Sequence, residues 1–104
     1  MSEYDDEFYD DDDDDESEFA RGALVEAVQN QIDAGDPPAA KATFNKLTLV
    51  GYERHDILNL MGQVLAVEIY NMMTESRAFN LEWYESALRA LPELPAELRQ
   101  GEDE

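Results

Sequence analysis

Residues 54–76, RHDILNLMGQVLAVEIYNMMTES, constrain the fold most, because their apolar positions recur at helical spacing around almost the whole circumference. Ile57, Leu58, Leu60, Met61, Val64, Leu65, Val67, Ile69, Met72 and Met73 leave a narrow polar edge at Asn59, Gln63, Tyr70 and Thr74. A helix this apolar has to be covered by neighbours, which predicts a central position in an all-α domain. Glu68 breaks the pattern, standing four residues after Val64 and four before Met72 on a stripe otherwise apolar. A carboxylate placed there must snorkel to solvent, pair with an arginine or serve a function.

The flanking segments supply the cover. From Glu18 to Ala34, Ala20, Leu24, Ala27, Val28 and Ile32 mark the apolar face of an amphipathic helix, with Ser17 as its expected cap. Gly35 is the expected left-handed stop, and Asp36-Pro37 reads as an N-cap followed by Pro at the first helical position. The second helix is expected from Pro37 to Val50, with Ala40, Phe44, Leu47 and Val50 facing the core and Gly51 ending it. Asn80 is the expected cap of a fourth helix over Leu81 to Leu91, stopped by Pro92, and Pro95 begins a last turn through Leu98. No segment alternates with period two long enough to make a strand. The expected architecture is a small antiparallel bundle of about four helices: an acidic tail over 1–16, a helical domain over 17–99 and an acidic C-terminus over 100–104.

The tail, MSEYDDEFYDDDDDDE, holds eleven acids and no base in a chain of net charge −19, and such a block is expected to be disordered. Tyr4, Phe8 and Tyr9 interrupt the acids at a spacing that forms one aromatic edge if the tail becomes helical on a partner, which makes them candidate contacts; a purely solvating tail explains the same composition. The Asp10 to Asp15 run lacks the glycine of a calcium loop. Seven scattered bases against 26 acids make no stripe for phosphates, so direct nucleic-acid binding is not expected. The chain has no cysteine, no basic apolar leader and no membrane-length apolar run, and these features together lead to an expected cytoplasmic location without membrane contact.

His55 is the sole histidine. As a general base it would need an orienting carboxylate, and adjacent helical residues diverge by about 100°, so Asp56 is poorly placed and Glu26 or Asn30 of the first helix are the alternatives. Glu26, Asn30, His55 and Asp56 are therefore the candidate binding residues; in the competing reading, His55 and Asp56 are simply polar residues of a helix's first turn. No Glu-x-x-His motif, nucleophile elbow or phosphate loop is present, so neither a metal nor another cofactor is expected.

The Asn30-Gln31 pair, the Gly35-Asp36-Pro37 corner, Leu47 and Gly51 ahead of Arg54-His55-Asp56, and Phe79-Asn80 followed by Tyr84 and Leu88 together cover about two thirds of the chain. In these features it resembles a group of small bacterial all-helical proteins of unknown function. The resemblance implies the same helical fold and no particular activity. In that group a second histidine often stands four residues after the first, where this chain has Asn59.

The expectation that follows is a non-enzymatic protein-interaction module whose acidic tail modulates binding to a basic protein partner or keeps the chain soluble. The alternative is a small ligand-binding or enzymatic bundle with a site around His55. A homodimer burying Tyr70, Trp83 or Tyr84 is compatible with both.

Overall fold

The computed structural model describes residues 19–98, so the expected tail over 1–16, its aromatic residues Tyr4, Phe8 and Tyr9, the Ser17 cap and the C-terminal 100–104 lie outside the described residues. Within 19–98 the chain is all-α: α1 spans 19–34, α2 Pro38–Val50, α3 Arg54–Glu75 and α4 Leu81–Ala90, followed by a 3-10 turn at Ala96–Leu98. The described residues contain no strand.

Each boundary has a local cause. Gly35 ends α1 at φ 68° and Gly51 ends α2 at φ 113°, both in the left-handed region where a side chain is strained. The corner between them differs from expectation. Pro37, in extended backbone, is the N-cap and Pro38 takes the first helical position, while Asp36 joins Pro37 through a cis peptide. The reason is steric: the Pro38 ring holds the residue before it out of helical backbone. Ser76 closes α3 in left-handed backbone, and Asn80 caps α4 as expected, its side-chain oxygen accepting from the Trp83 N–H at 3.0 Å.

The core is made where α3 meets the others. Val28 and Ile32 of α1, Ala39, Ala40 and Leu47 of α2, Ile57, Leu58, Met61, Val64 and Leu65 of α3, and Tyr84 and Leu88 of α4 with Leu91 form one buried cluster. A fully buried leucine such as Leu47 contributes about 1.5–3 kcal/mol. Gly62 of α3 faces Leu24 of α1, and a Cβ built on it would meet Leu24 Cβ at an ordinary 3.7 Å. Arg54, at the start of α3, donates to the Gln29 side chain of α1 and lies 5.7 Å from the Phe44 ring centroid.

Three expectations about packing are corrected. Val50 is 66% exposed, because the last turn of α2 extends beyond the core. Tyr84 is fully buried, its ring edge-on to Phe79 at 5.2 Å and its hydroxyl donating to Gln31 Oε1 at 2.7 Å, so it is part of the core and unavailable to a dimer interface. On α3, Ile69 and Met73 join Tyr70 in solvent, so the open edge of this helix is wider and more apolar than the polar residues alone implied.

Candidate functional site

The sequence-derived candidates separate in space. His55 Nε2 lies 3.1 Å from Asp56 Oδ1 and its Nδ1 lies 3.9 Å from Glu53 Oε1, with all three side chains exposed. Asp56 thus lies close to His55 in the exposed first turn of α3, but among the described residues no hydrogen bond orients the imidazole. Glu26 and Asn30 are exposed on α1 and make no hydrogen bond or ion pair with His55; the bridge between α1 and the start of α3 is Arg54 to Gln29. Glu53, His55 and Asp56 present three ligand-type atoms within 4.8 Å of one another, but on an exposed helix start where water competes for every one of them.

Glu68 resolves as an ion pair. Its carboxylate is buried and accepts from Arg77 Nη1 at 2.6 Å, from Arg77 Nη2 at 3.2 Å and from the Asn80 N–H at 2.7 Å. Arg77 also reaches Glu75 Oε1 at 2.6 Å and the Ala78 carbonyl at 2.8 Å. The Arg77 hydrogen bonds hold the Glu68 carboxyl below its usual 4.5 against the opposing effect of burial, and the Asn80 N–H assists. The same pairing with Glu68, then Glu75, raises the Arg77 guanidinium still further above its ordinary value. This fork ties the last turns of α3 to the start of α4 and fixes how α3 is rotated. Residues two apart on a helix diverge by about 200°, so anchoring Glu68 inward turns Tyr70 outward.

Turned outward with it is the surface the sequence reading missed. Ala20, Ala23, Leu24 and Ala27 of α1 and Leu65, Ala66, Ile69, Tyr70 and Met73 of α3 line an open groove of about 480 Å³, to which no charged side chain among the described residues contributes. Tyr70 is 67% and Met73 73% exposed, and Phe19, 79% exposed, stands beside Ala20 at the start of α1. Across the Tyr70 ridge a second depression runs between α3 and the 3-10 turn, lined by Gln63, Ala66, Val67, Asn71, Glu97 and Leu98 besides Tyr70. The two share Ala66 and Tyr70, and the second carries Gln63, Asn71 and Glu97 beside its apolar residues. The groove's signal in the sequence is the row of alanines on α1 opposite Ile69 and Met73: small side chains cannot cover a large apolar face. Other exposed apolar residues, Leu49 and Val50, sit at the end of α2.

The chain matches no family model, no curated protein and no solved structure in the three comparisons made. No described helix is long and apolar enough to cross a membrane.

Proposed function

We propose that this chain is a non-enzymatic protein-interaction module of the cytoplasm that docks a protein partner on the open face of α3. The observation that carries the proposal is the groove between α1 and α3. Large apolar side chains left uncovered side by side, with small residues opposite, are the shape of a helix-accepting surface. The acidic tail then acts on association, drawing in a basic partner over distances that direct contacts do not reach.

A photo-crosslinking residue at position 70, compared in cells with the same residue at the still more exposed position 49, tests this. Protein adducts at position 70 and not at 49 are expected. Equal yields at both positions, or none at 70, would overturn the reading.

A further inference from the structure

We infer that the α1–α3 groove takes an amphipathic helix of another protein, apolar on the face it buries and basic on the face it leaves out. The inference deepens the docking reading and rests on it. The groove's walls, Leu24, Ile69, Tyr70 and Met73 among them, offer an occupant no ion pair, so what enters must be apolar. The groove lies between two helices and is lined over residues 20–27 of α1 and 65–73 of α3, about 10–12 Å at 1.5 Å per residue, the span of helix anchors at i, i+3, i+4 and i+7.

Charge selects among the possible occupants. The chain carries −19, and the segment joined to Phe19 contains twelve acids and no base. A second copy would bring a second such charge, and the chain's own first residues would bring acids back onto an acidic molecule. Nucleic acid and anionic lipid are disfavoured on the same ground. A basic helix is attracted by it.

Position supplies the link between groove and charge. Gly62 faces Leu24 and Arg54 reaches Gln29, so α1 and α3 run antiparallel, and Phe19, which follows the acidic segment in sequence, stands next to Ala20 at the end of the groove formed by Ala20 and Met73. The acids that precede Phe19 are thus the ones nearest the groove along the chain.

The test is an amide NMR titration of the full chain with synthetic peptides of about 18 residues, long enough to hold a helix across the groove. One peptide has leucines on one helical face and lysines elsewhere, one has the same composition scrambled, and one has glutamates in place of the lysines. The lysine helix is expected to shift Ala23, Ala66, Tyr70 and Met73 and to bind at least about tenfold more tightly than either control. Tyr70→Glu and Met73→Glu, at exposed positions that the fold tolerates, are expected to weaken binding even though each adds attractive charge. Replacing Asp10 through Asp15 by Asn in the full chain should weaken binding and flatten its salt dependence while the same amides move. Equal binding of the scrambled peptide, or shifts centred on Leu49, would overturn the inference. Equal shifts with the glutamate helix, or groove shifts that grow with protein concentration alone, would remove the basic helix as occupant and leave docking at the groove standing. Failure of every peptide, together with no crosslinking preference for position 70, would remove both.

Discussion

Glu68 shows how a single residue decides what the molecule presents. Its carboxylate is buried, forked onto Arg77 and bonded to the Asn80 N–H, so substitution breaks an α3–α4 tie and unfixes the rotation of α3. Glu68→Gln keeps the volume but loses the charge-assisted bonds, and a destabilisation of about 2 kcal/mol is expected from denaturant unfolding. Because the folded carboxyl titrates below its ordinary 4.5, its contribution is complete above that value and is lost as pH falls through the lower folded value; Glu68→Gln should remove this part of the acid sensitivity. Tyr84 does the reverse at the alkaline end. Burial pushes its hydroxyl from 10 up to about 12, against the bond to Gln31, so the unfolded chain ionises first and stability falls between those values. Unfolding of Tyr84→Phe, followed from pH 9 to 12, should lack that decline. Thr43 is buried with no hydrogen-bond partner for its hydroxyl among the described residues, and Thr43→Val is expected to raise stability by about 1 kcal/mol in the same assay.

At the scale of the element, the helix limits were legible wherever one residue's backbone chemistry decides them. Asn80 caps α4, and Gly35 and Gly51 stop α1 and α2, because each acts within a turn of its own position. The Pro37-Pro38 corner was misplaced by one residue, since two adjacent prolines both satisfy the rule for a helix start. Glycine position gives a paired prediction. Gly62→Ala should stabilise by about 0.5–1 kcal/mol, because it lies within α3 and a methyl group meets Leu24 at an ordinary 3.7 Å. Gly51→Ala should destabilise by about 1 kcal/mol, because φ is 113° there and open space around a Cβ does not relieve backbone strain. Thermal unfolding of the two variants checks both signs.

At the scale of the whole molecule, periodicity identifies which α3 residues are apolar and is silent on how many neighbours arrive to cover them. The sequence reading assigned Ile69 and Met73 to the core, whereas α1 brings alanines to that side and leaves them open. The pairing of Glu68 with Arg77 was one of three outcomes open in the sequence; the turn between α3 and α4 decides it by folding a residue nine positions away onto the carboxylate. His55 stood out as the sole histidine, but among the described residues its partners are Glu53 and Asp56, both in solvent. The account's central claim is that the groove is open to another protein. Amide correlation spectra of the full chain and of the chain lacking residues 1–16, at low and moderate salt, test it most directly. The account predicts superimposable peaks for Ala23, Ala66, Tyr70 and Met73, as expected of a groove that the chain's own acidic segment leaves free. Salt-sensitive shifts of those peaks on removing the segment would contradict it, because the groove would then already be occupied from within.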